Sequence, residues 1–298
     1  GCSSGIGKSL ALELKKTKKY KVYASMRTIK KEEEEKEEEK EEKENSNLEW
    51  IQLDVTSLNS VEEAVSYIIK KEGRIDVLIN NAGYGLVGTV ETVDISDAKD
   101  MFEVNLWGVV RVMQAVLPFM RNSRKGHIIN LSSTSGIRGI PANDFYTSSK
   151  FALEGLCDSL RYTLAGFNIY ITNVNPGPVR TSFGDRYGDK STGGRGKRLV
   201  NDTTGYLLAL EERAISSFAS RVVTDGQSSE EVARVVINLI IIGRQAKKPS
   251  DVPFNIGTNR KTQSLIDELC HYPTGWGGVY TDIMLNMPPV PKEDKIQK

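Results

Sequence analysis

Two side chains with complementary acid–base chemistry, Tyr146 and Lys150, sit four residues apart near the start of a stretch with helical periodicity. Leu153, Leu156, Cys157, Leu160 and Leu164 supply the apolar positions of that stretch. Residues four apart on a helix project from the same face, so the phenol and the ammonium are neighbours. A free tyrosine has a pKa of about 10 and exchanges protons poorly near neutrality. A nearby positive charge stabilises the phenolate and brings that pKa toward the working range. Ser133 lies thirteen residues before Tyr146, where the apolar run that starts at His127 opens into hydroxyls. It can give a substrate oxygen a second hydrogen bond. The chemistry these types suit is proton transfer at a carbonyl or an alcohol. Y-x-x-x-K is common on helices, so it carries weight only if the surrounding elements place a substrate and a cofactor beside it.

Those elements begin at the first residue. Gly1-Cys2-Ser3-Ser4-Gly5-Ile6-Gly7 is a glycine-rich turn leading into a helical stretch that reaches about Leu14. Its glycines let the backbone approach a pyrophosphate, and the following helix turns its N-terminus toward the anion. Residues 21–25 read as a strand whose end carries Arg27 and no acid. An acid there would suit the ribose hydroxyl of NAD, whereas an arginine suits the 2′-phosphate of NADP; a solvated arginine at a strand end is the plain alternative. Residues 48–53 form a further strand ending at Asp54-Val55, where the acid either reaches an adenine amino group or caps the helix over 57–71. The strand over 76–80 runs into Asn81-Ala82-Gly83, whose small residues leave room for a flat ring while the asparagine pins the turn. Asn105 stands inside a long helical segment, which its propensity disfavours, so its amide is expected to be used. The strand over 169–175 closes in Pro176-Gly177-Pro178.

Strand and helix alternate throughout, which predicts an α/β fold with a doubly wound parallel sheet of Rossmann type. Ligands in such sheets lie beyond the carboxyl ends of the strands. Gly1–Gly7, Arg27, Asp54, Asn81, Ser133 and Pro176 all fall at such ends.

Composition excludes several classes. The net charge is +1, which gives no basic footprint for nucleic acid. Three separated cysteines, Cys2, Cys157 and Cys270, fit a reducing compartment rather than a disulfide scaffold or a cysteine-rich zinc site. Two histidines, His127 and His271, are too few for an all-histidine metal site, so no metal is expected. The longest apolar run, near 235–242, is too short to span a bilayer and is broken by Asn238.

Gly1–Gly7, Asn81-Ala82-Gly83, Asn105, Ser133, Tyr146, Lys150 and Pro176–Thr181 stand in the order and spacing of the short-chain dehydrogenase/reductases, and residues 1–183 resemble that family. The runs G-C-S-S-G-I-G, P-A-N-D-F-Y-T-S-S-K-F-A-L-E-G-L-C-D-S-L and N-P-G-P-V-R-T are similar to its steroid 17β-dehydrogenase and retinol dehydrogenase branch. The resemblance implies Tyr146 as general acid/base, Lys150 as the group that lowers its pKa and holds the nicotinamide ribose, and Ser133 as the group that orients the substrate oxygen. It implies that Asn105 holds a water in the proton relay. For NADP(H) it implies Gly1, Ser3, Ser4, Gly5, Ile6 and Gly7 at the phosphates, with Ser4 and Arg27 at the 2′-phosphate. Asp54 and Val55 would meet adenine, Asn81, Ala82 and Gly83 would line the cofactor cleft, and Pro176, Gly177, Val179 and Thr181 would cover the nicotinamide amide. It further implies a small apolar substrate, a homodimer built on the helices near 106–120 and 151–165, and a cytoplasmic enzyme with room for peripheral membrane contact.

The family carries an apolar strand ahead of the glycine turn, in the middle of its sheet. This chain opens at Gly1 directly into the turn, so the expectation is a sheet with unpaired edges at its centre. The whole of 1–298 is read as one domain with three additions. Residues 31–44 are a Glu/Lys-rich surface insertion, 184–226 form a substrate lid with an amphipathic stretch over 206–218, and the tail from about 288 is loose. A core helix over 229–242, capped by Ser228 or Ser229, and a last strand over 252–256 complete the reading. Residues 184–226 contain no histidine, the group with which the estradiol enzyme grips its phenol, so the substrate stays open between steroid and retinoid. The alternatives are reduction of another small carbonyl compound and a silent dinucleotide-binding protein.

Overall fold

A computed structural model describes residues 1–29, 46–184 and 205–269. The insertion over 31–44, most of the polar part of the lid, His271 and the tail lie outside the described residues. Among the described residues six strands run in chain order: β1 (Val22–Met26), β2 (Leu48–Gln52), β3 (Val77–Asn80), β4 (Gly126–Leu131), β5 (Ile169–Asn175) and β6 (Asn255–Gly257). The helices are α1 (Gly5–Thr17), α2 (Leu58–Glu72), α3 (Ile95–Phe102), α4 (Val109–Ser123), α5 (Asp144–Ala165), α6 (Tyr206–Asp225), α7 (Ser229–Gln245) and α8 (Arg260–Leu269). A π-helical turn, Glu103–Gly108, joins α3 to α4.

Every strand pairing is parallel, as the alternation of strand and helix predicts. In β4, Ile128 packs with Val61 of α2, Val112 and Val116 of α4, and Leu153 of α5 on one face. Its neighbours Ile129 and Leu131 pack with Leu10 of α1 and Val232, Val236 and Leu239 of α7 on the other. Both faces of β4 and β5 are therefore covered, and the two strands read as unbroken runs of buried residues. The helix over 229–242 extends to Gln245 and starts in a capping box: Ser228 accepts from the Glu231 amide, and the Glu231 carboxylate accepts from Ser228. The last strand is shorter than the sequence suggests. Its ladder begins at Asn255, two residues after Pro253, which has no N–H to contribute.

The strands form two sheets, β1-β2 and β3-β4-β5-β6, with no ladder joining β1 to β3. Between them runs a cavity of about 840 Å³. Its edges are Val22–Ser25 and Val77–Asn80; Leu10, Ala11 and Leu14 close one side, and Val109, Val112 and Val116 the other. The cavity has the lining of a strand position, with two backbone edges and apolar side chains above and below. Gly1 lies at its mouth. The Cys2 amide already donates to the Ser25 carbonyl at 2.7 Å, continuing the β1 edge toward the cavity.

The expectation is that a five-residue apolar strand added ahead of Gly1 fills this cavity. An unpaired backbone group costs about 1–3 kcal/mol when buried. A net gain of about 3 kcal/mol would raise Tm by roughly 6–12 °C in a chain of this size class. Thermal melts of the two forms check it, and equal Tm values would show that the cavity is not a strand position.

Candidate active site

The carboxyl ends of β1–β5 open onto one cleft of about 650 Å³. Gly1, Ser3, Ser4, Gly5 and Ile6 line one end, with Arg27, Asp54 and Val55 beside them. Asn81, Ala82 and Gly83 line the middle, and Ser133, Tyr146, Lys150, Pro176, Gly177, Val179 and Thr181 line the far end. Residues spread over almost 180 positions of sequence thus meet on one surface.

The glycine turn is held from behind. Asn81 Nδ2 donates to the Gly1 carbonyl at 2.6 Å. Gly7 stands at this contact rather than on the cleft wall, and a Cβ there would collide with the Gly1 carbonyl oxygen and Asn81 Nδ2. Gly5 has φ +58°, a conformation costly for a residue with a side chain. The first turn of α1 contains no acid, and its N-cap Ser4 makes no side-chain capping bond. The turn therefore presents a helix N-terminus to the cleft with nothing anionic in it, which suits a phosphate. Asp54 is engaged locally: Oδ1 accepts from the Thr56 amide at 2.9 Å and from the Thr56 hydroxyl at 2.8 Å. These bonds, the backbone one first, hold its carboxyl below the usual range. The helix cap is Ser57, whose hydroxyl accepts from the Ser60 amide, so Asp54 does not cap the helix; its carboxylate makes a local turn with Thr56 and its position borders the cleft.

Asn105 lies in the π-helical turn and is buried. Its Oδ1 accepts from the Tyr84 amide at 3.0 Å, and its Nδ2 donates to the Tyr84 carbonyl at 2.9 Å and to Ser149 Oγ at 3.2 Å. The amide is used, as its unfavourable helical position implies, but it braces the chain after Gly83 and is not itself on the cleft wall.

Tyr146 and Lys150 are both buried in the first turns of α5. The Lys150 ammonium lies 5.9 Å from the Tyr146 ring centroid and donates to the Leu131 carbonyl at 2.8 Å. Burial pushes the phenol up to about 12, opposed by the Ser133 side-chain hydrogen bond. Burial pushes the ammonium down to about 8, opposed by the charge of Glu154. Ser133 Oγ is fixed by the Ser135 amide, which donates to it at 3.0 Å. His127, the other titratable group on β4, is a core residue. Its Nε2 is 3.0 Å from Thr172 Oγ1, and burial lowers its pKa to about 4, so it is neutral.

Phe183 and α6 line the rest of the cleft, with Leu210, Ala214 and Phe218 as apolar members and Arg213, Ser217 and Arg221 as polar ones. Phe183 meets the Tyr146 ring with centroids 5.8 Å apart. Leu210, Ala214 and Phe218 of α6 pack with Phe183 over Val87 and Ala142. Buried Glu211 ties α6 to the loop before α3 by accepting from the Thr92 hydroxyl. The amphipathic stretch over 206–218 thus lies against the cleft. Sequence reasoning named the stretch but not the residues that face inward, because helix periodicity alone does not say which neighbour a face meets. Among the described residues there is no cluster of potential metal ligands. No described helix is long and apolar enough to cross a membrane.

A parallel sheet with helices on both faces, a glycine turn at its carboxyl edge and a Ser–Tyr–Lys set beyond it define a class. A family model for short chain dehydrogenases matches residues 1–191, and the chain belongs to that family; it is an oxidoreductase. Among its relatives, human "Retinol dehydrogenase 8" is 37% identical over 273 residues, which is 88% of this chain and 83% of that protein. Human "17-beta-hydroxysteroid dehydrogenase type 1" is 40% identical over 186 residues, 61% of this chain and 56% of that protein. The solved structure "ElxO with NADP Bound" aligns with a TM-score of 0.67 at 27% identity, covering 88% of this chain and 97% of that one.

Proposed function

We propose that this enzyme transfers hydride between NADP(H) and an apolar alcohol, ketone or aldehyde of the steroid or retinoid class. The observation that carries the reading is the cleft itself. Ser133, Tyr146 and Lys150 line it together with the apolar side chains of Phe183, Leu210, Ala214 and Phe218, while Arg213 and Arg221 of α6 add charge to its lining. The glycine turn and the α1 N-terminus would hold the pyrophosphate, with Arg27 and Ser4 placed for a 2′-phosphate. The absence of an acid at the end of β1 favours NADP(H) over NAD(H). When bound, the cofactor supplies or accepts the hydride at the substrate carbon. In reduction Tyr146 gives its proton to the substrate oxygen, and in oxidation it takes that proton back. The Lys150 ammonium stabilises the phenolate left behind. Ser133 holds the substrate oxygen, and Asn105 keeps the Tyr84 backbone in register beside the cleft. Pro176, Gly177, Val179 and Thr181 would close over the nicotinamide.

The relatives' printed names support the substrate class. Retinoids and steroids both present a carbonyl or hydroxyl at the end of a large apolar body, which suits a cleft that joins Ser133, Tyr146 and Lys150 to the apolar Phe183, Leu210, Ala214 and Phe218. Assays of retinoids and steroids, run in both directions with NADPH or NADP⁺ and the full-length protein, test the reading. Turnover is expected with at least one of the two classes. Turnover only with small polar carbonyl compounds would replace the substrate class.

The reading extends to a homodimer. Trp107, Phe119 and Phe151 leave large apolar surface exposed at the start of α4, on α4 and on α5. Sedimentation at micromolar concentration is expected to give a dimer, and a monomer throughout would remove it. Apolar substrates also favour a cytoplasmic enzyme in peripheral contact with a membrane.

A further inference from the structure

One buried acid next to the active site has no part in the scheme above. Glu154 lies on α5, one turn after Lys150, and is 8% exposed. Both carboxylate oxygens receive amide N–H groups from β5: Asn175 Nδ2 donates to Oε1 and Asn173 Nδ2 to Oε2, each at 2.6 Å. Asn173 in turn accepts from Asn130 Nδ2 at 3.2 Å, and Asn130 accepts from Asn80 Nδ2 at 2.8 Å. Three asparagines at paired positions on β3, β4 and β5, Asn80, Asn130 and Asn173, thus form a chain of amides that ends at Glu154, and Asn175 donates to it separately. Asn175 Nδ2 also donates to the Ser133 carbonyl at 3.1 Å, so the same network reaches the substrate-orienting serine. Gly136 makes room for the acid: a Cβ there would lie 3.0 Å from Glu154 Cγ.

An acid this buried is costly unless it is paired and hydrogen-bonded. Two N–H donors, one to each oxygen, are the partners of an ionised carboxylate, because a protonated one would turn an O–H toward a donor. The charged and titratable groups around it are few. On α5 they are Lys150, Tyr146, Cys157 and Asp158; Asp158 pairs with Arg161 at 2.9 Å. Cys157 is buried, and its thiol is held neutral by desolvation first and by Glu154 and Asp158 after it. From β5 come only the Asn173 and Asn175 amides, and from the loop after β4 only the hydroxyls of Ser132 and Ser133. Lys150 is the one cation in this group that lines the catalytic cleft.

We propose that Glu154, fixed by Asn173 and Asn175, is a positioning residue that keeps the Lys150 ammonium charged despite its burial and thereby sets the pH range of turnover. The proposal rests on the assignment of Tyr146 and Lys150 above. Lys150 has two electrostatic partners with different jobs. The Leu131 carbonyl fixes where the ammonium sits, and the Glu154 carboxylate supplies the opposite charge that keeps the proton on it. Without that charge, burial acts alone and Lys150 loses its proton at a lower pH. Tyr146 then loses the cation that stabilises its phenolate, so in the oxidative direction the rise of kcat with pH moves upward. In the reductive direction the phenol keeps its proton to a higher pH, so the fall at alkaline pH moves upward too.

The experiment is an NMR titration of the Lys150 Nζ signal in cofactor-free, ¹⁵N-lysine-labelled protein, assigned by its absence in Lys150→Arg. It is paired with pH profiles of kcat in both directions. Glu154→Gln is expected to lower the Lys150 pKa by about 1–3 units, the range for a lost close charge. The kinetic limbs should shift as stated, and Glu154→Asp should restore most of both effects. Asn175→Ser loosens the carboxylate without removing it and should give a smaller shift of the same sign; it serves if Glu154→Gln does not fold. An unchanged Lys150 titration in Glu154→Gln, or in Asn175→Ser where that is the variant that folds, overturns the proposal whether or not NADPH is the coenzyme. A uniform drop in kcat with unmoved limbs also overturns it, since that marks a purely structural role. The assignment of the site fails separately, if Tyr146→Phe keeps its turnover.

Discussion

Tyr146→Phe is expected to lose turnover by about 10²–10⁴-fold, the range for removing a general acid/base, while cofactor affinity changes little. The phenol is buried against Phe183 and hydrogen-bonded by Ser133, and the Lys150 ammonium lies 5.9 Å from its ring centroid. Phenylalanine fills the same volume and keeps the ring contact, so a change in fold is not the expected cause of any loss. The expected split is diagnostic: kcat falls in both directions, and Kd for NADPH, read by fluorescence titration, stays within a few-fold. A variant with wild-type kcat would remove Tyr146 from the mechanism.

Arg27→Asp is expected to reverse coenzyme preference. Arg27 stands on the cleft at the end of β1, close enough to influence the Asp54 carboxyl electrostatically. A guanidinium suits a phosphate dianion, whereas a carboxylate at the same place repels it and accepts from a ribose hydroxyl. Charge-assisted bonds of this kind contribute about 1.5–3 kcal/mol, so replacing attraction by repulsion should change the NADPH/NADH ratio of kcat/KM by roughly 10²-fold or more. Steady-state kinetics with both coenzymes measure it. A wild type that uses NADH and NADPH equally would contradict the reading before any mutation is made.

Much of this site was legible in the sequence because its parts are local and chemically distinctive. Glycines before a helix, small residues after Asn81, and a phenol four residues from an ammonium each state their own geometry. Their convergence followed from a single rule, that parallel strands deliver their carboxyl ends to one edge. Two kinds of feature were harder to read. Asn105 was singled out by its unfavourable position, but its partner, the backbone of Tyr84, is set by a π-helical turn that no periodicity announces. Glu154 is a polar residue on an amphipathic helix, and periodicity gives it no partner. Its meaning comes from Asn173 and Asn175, which look like interruptions of an apolar strand until β5 is placed beside α5. The break between β1 and β3 was expected from the resemblance, yet its shape, an apolar cavity with two backbone edges, is a tertiary property. The inward face of α6 is equally a matter of tertiary packing, decided by Val87, Ala142 and Phe183.

The central claim is that hydride moves between a nicotinamide and an apolar substrate at the Ser133–Tyr146–Lys150 site. The most direct measurement uses full-length protein, NADPH deuterated at the transferable position and a retinoid or steroid carbonyl, with mass spectrometry of the product. The account predicts an alcohol one mass unit heavier with the wild type and almost none with Tyr146→Phe. Unlabelled alcohol from the wild type, or labelled alcohol formed equally well by Tyr146→Phe, would contradict it.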